Sequence, residues 1–250
     1  MKQKNYQGLF LSMLFIVLSY FFTRDYYSPF FWILLCLLLV LLFLREENRL
    51  FAWLMISFFG GHLIVIYLDK FIEGMIVGPF FRVMINQILF IVPILSMCYV
   101  IIQFNKRISS FLKKPEPFSI SKSLYIVLLL LTIGLIFLFI LTEDMNVFLY
   151  LISFSLIHAV VQEVTWRGIL LTQMINITSR KTAVLLTSIA FSVNTTIFGF
   201  APSIFLLYLT LGLAYGFLTT KYSSILPAIV VHTVVLLFSF FNGWIQLPIL

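Results

Sequence analysis

The polar positions along this chain are too sparse to give half-buried strands or amphipathic surface helices. They punctuate apolar runs of about 17 to 25 residues, the length that a helix rising about 1.5 Å per residue needs to cross a bilayer. Spans are predicted near 8–23, 29–44, 50–68, 80–103, 123–142, 146–171, 182–199, 203–219 and 223–241. The runs are continuous where the lipid-facing strands of a closed barrel would alternate, so the fold class is an all-α polytopic membrane bundle. At 199–203, Ala201-Pro202 marks either a short external turn or a bent, partly re-entrant segment, which leaves eight or nine spans. The first run follows Lys2 and Lys4, lacks a small-residue cleavage site and leads directly into another span, so it reads as a retained helix.

Composition agrees, since a 250-residue chain that is 62% hydrophobic and 10% charged has too little polar surface to cover a soluble globule. Charge placement adds an orientation. With the N-terminus cytoplasmic, the inner segments carry Lys2, Lys4, Arg45, Arg49, Lys106, Arg107, Lys113, Lys114, Lys122, Arg180, Lys181 and Lys221. The outer segments carry only Arg24 and Lys70, while Arg82 and Arg167 are intramembrane. This is the asymmetry of the positive-inside rule, and the net charge of +7 then reports topology and contact with anionic membrane lipid, not nucleic acid. The hydrophilic stretch 105–122, with the breaker run Lys114-Pro115-Glu116-Pro117, is expected to be a cytoplasmic linker with partial helix on the membrane surface. It divides a four-span region, 1–104, from a C-terminal core, 123–250. Cys36 and Cys98 both fall inside spans and read as packing residues, so neither a disulfide nor a cysteine metal site is expected.

The candidate chemistry is concentrated in the core. Glu163 is the only acidic side chain within an apolar span, and Arg167 follows it at i+4. A charge at mid-bilayer costs roughly 2.5 to 3.5 kcal/mol on insertion scales, so this pair is either an internal ion pair or part of a site. His158, Gln162 and Trp166 repeat at i, i+4, i+8 on the same helix, expected to present all these groups to the bundle interior. The next span holds the polar patch Phe191-Ser192-Val193-Asn194-Thr195-Thr196. The one after it has Gly212 and Gly216 at the small-xxx-small spacing that lets helices approach closely, and the last carries His232 near its middle. Outside the core, His62 reads as a packing residue, and Arg82 with Asn86 as a snorkelling or helix-bridging pair.

These pieces, in this order, resemble the CPBP family of intramembrane endopeptidases, which includes the CAAX prenyl proteases and bacteriocin-processing or immunity proteins. The family signature is Glu-Glu-x-x-x-Arg, Phe-x-x-x-His and His-x-x-x-Asn on successive core helices. Gln162-Glu163-Val164-Thr165-Trp166-Arg167 matches the first motif with its leading Glu replaced. Phe191 to Thr195 matches the second with Thr195 in the His position, and His232 to Leu236 matches the third with Leu236 in the Asn position. The stretch from Gly212 through Pro227 to His232 also looks like that family, and the resemblance covers about 120–241. It implies Gln162, Glu163, Thr195, His232 and Leu236 at the catalytic positions, with Arg167, His158 and Asn194 supporting.

Three of the four core positions are changed in ways that remove the implied chemistry. Gln162 has no proton-accepting state at neutral pH, Thr195 offers a hydroxyl where an imidazole is wanted, and Leu236 offers nothing polar. The resemblance therefore implies one of two functions in a bacterial cell membrane. One is a catalytically degenerate scaffold or regulatory partner, a pseudoenzyme that binds another membrane or cell-envelope protein and takes no cofactor. The other is an active CAAX-type intramembrane peptidase that cuts a peptide or bacteriocin-type substrate, with Glu163 as a displaced base and zinc held by His232 and Glu163. Bacteriocin self-immunity is compatible with both. In either case Gln162, Thr195 and His232 are expected to face one cavity in the cytoplasmic half.

Overall fold

The computed structural model describes residues 6–24, 28–42, 44–74, 78–112, 134, 145–195 and 201–244. The span expected at 123–142 lies outside them apart from Gly134, and so does the linker beyond 112. Within the described residues the chain is helical, with no strand: α1 (Tyr6–Thr23), α2 (Pro29–Leu42), α3 (Glu46–Glu73), α4 (Pro79–Leu89), α5 (Ile91–Gln103), α6 (Met145–Glu163), a π-helical segment (Val164–Leu170), α7 (Leu171–Ile177), α8 (Arg180–Asn194), α9 (Pro202–Tyr222) and α10 (Leu226–Phe241). Five stretches are long and apolar enough to cross a bilayer: α1, α3, α4 with α5, α6 through α7, and α9. Helices α2 and α10 are apolar but shorter. The chain is thus a multi-pass helical membrane protein, as its hydropathy pattern requires.

Two predicted helices are interrupted. The 80–103 span breaks at Phe90, three residues before Pro93, whose ring and missing N–H are incompatible with the preceding helical turn. The 146–171 span contains the seven-residue π-helical segment directly after Glu163, and continues as α7 to Ile177. An i→i+5 turn adds a residue to the helix, so the face presented by α7 is rotated by about 100° relative to α6. Thr172 and Gln173 then reach the segment after α5. Ser110 N donates to Thr172 Oγ1 at 3.3 Å, and Gln173 Nε2 to Arg107 O at 3.3 Å. Of the linker expected at 105–122 with partial helix, the described residues 105–112 are irregular and tied down: Ile225 N also donates to Phe111 O. Side chains of the core occupy the place of self-contained helical hydrogen bonds.

Packing follows the small residues. A Cβ at Gly212 would lie 3.1 Å from Ser188 Cβ, and one at Gly216 2.9 Å from Val184 Cγ1, so the glycine pair seats α9 on α8 as its spacing predicts. Helix α1 also packs on α8, and an aromatic cluster of Phe15, Phe51, Phe58 and Phe59 joins α1 and α3 to Trp166. Helices α3 and α5 meet at Gly61, where an added Cβ would clash with Pro93 Cα, a backbone atom that cannot rotate away. Gly61→Ala should therefore destabilise the bundle by about 1–3 kcal/mol through overpacking. Gly60→Ala, with open space at its Cβ, should leave the midpoint of thermal unfolding in detergent unchanged or higher.

Candidate functional site

The polar side chains of α6 sort into two groups on adjacent faces, because consecutive helical residues point about 100° apart. Glu163 and Arg167 turn toward α9 and α10 and are buried, at 0% and 1% exposure. Glu163 Oε1 accepts from Arg167 Nη1 at 3.2 Å and from His232 Nδ1 at 2.8 Å. Arg167 Nη2 donates to Gly212 O at 3.2 Å. The guanidinium lies 4.3 Å from the Phe191 ring centroid and 5.2 Å from that of Tyr215, within cation–π range. Tyr215 stacks on His232 at 4.9 Å and 20°. One carboxylate thus holds a guanidinium and an imidazole, and four helices meet around them.

The second group faces a cavity of about 570 Å³. Gln162, His158, Asn194 and Thr195 line it, together with Phe22 and Thr23 of α1, His62, Val65, Ile66 and Asp69 of α3, and Asn86, Gln87, Leu89 and Phe90 of α4 and its end. Gln162 Oε1 accepts from Trp166 Nε1 at 2.8 Å, and His158 Nδ1 donates to Gln87 Oε1 at 2.8 Å. Thr195 Oγ1 donates back to Phe191 O at 2.7 Å, at the extended residue that ends α8. His62, expected to be structural, donates to Phe58 O at 2.8 Å and also forms part of the wall. Arg82 bridges helices as expected, 3.7 Å from Glu73 at the end of α3.

The expectation that Gln162, Thr195 and His232 share one cavity is therefore half met. Gln162 and Thr195 line it, but His232 is turned into the buried cluster, and its ring is 5.9 Å from that of His158. Leu236 is buried one turn beyond His232 and reaches neither group of polar atoms. The depth also differs from expectation. Thr23, Asp69, Asn194 and Thr195 lie at the C-terminal ends of α1, α3 and α8, the ends away from Arg45, Arg49, Arg180 and Lys181. The cavity thus occupies the half of the bundle opposite these basic residues, where α8 ends at Asn194 and Thr195 turns to an extended conformation; the rest of the span expected to 199 lies outside the described residues.

Several residues of the site carried no sequence signal that singled them out. Tyr215 has its hydroxyl buried without a partner among the described residues, and lies between the two packing glycines, where a polar aromatic could have been suspected. Gln87 and Asp69 belong to α4 and α3, which hold no motif.

Zinc is a poor match to these donors. A zinc site needs three or four converging ligands, and no three His, Cys, Asp or Glu converge among the described residues. Glu163 Oε1 and His232 Nδ1 are already committed to each other, and Arg167 places a positive charge beside the carboxylate that a cation would need.

A helical membrane bundle with a polar cavity beside a buried Glu–Arg–His cluster is the class that fold and site define. Residues 144–238, from the start of α6 to within α10, match the family model described as type II CAAX prenyl endopeptidase Rce1-like. The matched segment is the one that carries the motifs and builds the cluster. No curated protein and no solved structure matches the chain.

Removing one charge of the buried pair leaves the other uncompensated. Arg167→Met should cost about 3–5 kcal/mol of stability, whereas adding Glu163→Gln, which keeps an acceptor for His232, should restore part of the loss. Urea unfolding in detergent measures both together with Glu163→Gln alone, and a double-variant loss equal to the sum of the two single losses would show that the side chains are not coupled.

Proposed function

We propose that this chain is a catalytically degenerate CPBP-type protein that serves as a scaffold or regulatory partner of another protein of the bacterial cell envelope, with its N-terminus in the cytoplasm. One observation carries the reading: the only acid retained from the first motif, Glu163, is consumed by Arg167 and His232, while the cavity is faced by the amide of Gln162. A water molecule in the cavity would meet no carboxylate at the position where the family's base belongs. General-base assistance is typically worth about 10²- to 10⁴-fold, and Thr195 and Leu236 remove two further groups from the same step. The cavity, walled in large part by α1, α3 and α4, suits a protein that receives a segment of another molecule without cutting it. The basic residues clustered at one end of the bundle support the cytoplasmic placement of that end.

The opposing reading, an active peptidase with Glu163 as substitute base, draws on Glu163 Oε2, which is buried without a hydrogen-bond partner among the described residues. A cleavage assay separates the two. Purified protein supplied with zinc should not cleave prenylated or unmodified peptides, and a Gln162→Ala allele expressed at the normal level should complement deletion as fully as the parent gene. Turnover by the parent protein that is lost in a folded Glu163→Gln or Gln162→Ala variant would overturn the scaffold reading.

A further inference from the structure

The cavity contains two acceptors that neither the motif residues nor the Glu163 cluster uses. Asp69, in the last turns of α3, and Asn86, on α4, both line it, and the Oδ1 atom of each is buried without a hydrogen-bond partner among the described residues. Five other polar side chains of the wall have partners: Gln162 with Trp166, His158 with Gln87, His62 with Phe58 O, Thr195 with Phe191 O, and Thr23 with Ser19 O. Asp69 is the one carboxylate among the lining residues, and no lysine or arginine is among them. Asp69 thus supplies the one negative charge of this wall, and a cationic donor is the partner that a carboxylate binds most strongly. At about 570 Å³ the space is in the range of small-molecule sites and far larger than a bare metal cation requires. Phe22, Val65, Ile66, Leu89 and Phe90 supply apolar wall beside the acceptors.

We propose that this cavity recognises one ammonium or guanidinium group carried on an apolar stem, with Asp69 as its counter-charge and Asn86 as a second acceptor. The chemistry is that of a lysine or arginine side chain or of an alkylamine. Both acceptors lie outside residues 144–238, so this specificity belongs to the N-terminal helices and not to the family segment. It holds whether or not the protein cleaves peptides.

Binding to the full-length protein in lipid nanodiscs tests it. The probes are a fluorescent tetrapeptide with one lysine, its norleucine counterpart, n-hexylammonium and n-hexanol. A charged probe should bind about tenfold or more tightly than its neutral partner, the size of one charge-assisted hydrogen bond. Asp69→Asn should abolish that difference, Asp69→Glu should retain part of it, and Asn86→Leu should weaken the charged probe severalfold, all with unchanged thermal unfolding. Discrimination seen with the peptides alone assigns a polypeptide side chain as the source of the cation, and discrimination seen with hexylammonium assigns a free amine. Equal binding of charged and neutral probes in both pairs, or discrimination that survives Asp69→Asn, would overturn the proposal, and neither result depends on the outcome of the cleavage assay.

Discussion

The contact between Glu163 and Arg167 sets the terms for the rest of the bundle. Two ionisable groups at 0% and 1% exposure each carry a large desolvation cost, which is offset where their charged atoms find partners, as Glu163 Oε1 and both Arg167 Nη atoms do. The partners come from other helices: Gly212 O from α9, His232 from α10, and the rings of Phe191 and Tyr215 from α8 and α9. In lipid, apolar side chains have little preference for one another over acyl chains, so helices associate through close packing and polar contacts. The cluster supplies the polar contacts, and Gly212 and Gly216 supply the packing that brings the donors within reach.

That arrangement has a consequence for chemistry. A carboxylate that organises four helices is poorly placed to accept a proton from water, since doing so would release Arg167 into an uncompensated apolar site. The cavity beside it is lined by amides, hydroxyls, imidazoles and the Asp69 carboxylate, several of which already hydrogen-bond within the protein. Structure and receptive surface are thus separated by one helical residue, Gln162 against Glu163.

The N-terminal helices complete this surface. They lie outside the matched segment, yet α1, α3 and α4 contribute most of the cavity wall, and Thr23 Oγ1 donates to Val193 O at 3.4 Å where α1 meets the end of α8. The segment that builds the Glu163 cluster therefore borders a cavity walled largely by helices that carry no motif.

Hydropathy alone determined that this is a multi-pass helical protein, because a bilayer forces each span to satisfy its backbone internally and so leaves a continuous apolar run in the sequence. The i,i+4 spacing of Glu163 and Arg167 and the four-residue spacing of the two glycines were equally legible, being contacts within one helix or features of a single helical face. The chain pattern did not reveal that His232 would turn from Gln162 to Glu163, that α8 would end at Asn194, that a π-helical segment would rotate α7, or that Asp69 and Asn86 would reach the same cavity. Those outcomes depend on the rotation, tilt and termination of helices relative to one another. Lipid is as apolar as the bundle interior, so hydrophobicity does not mark which face of a span turns inward. Only the tertiary packing decided it.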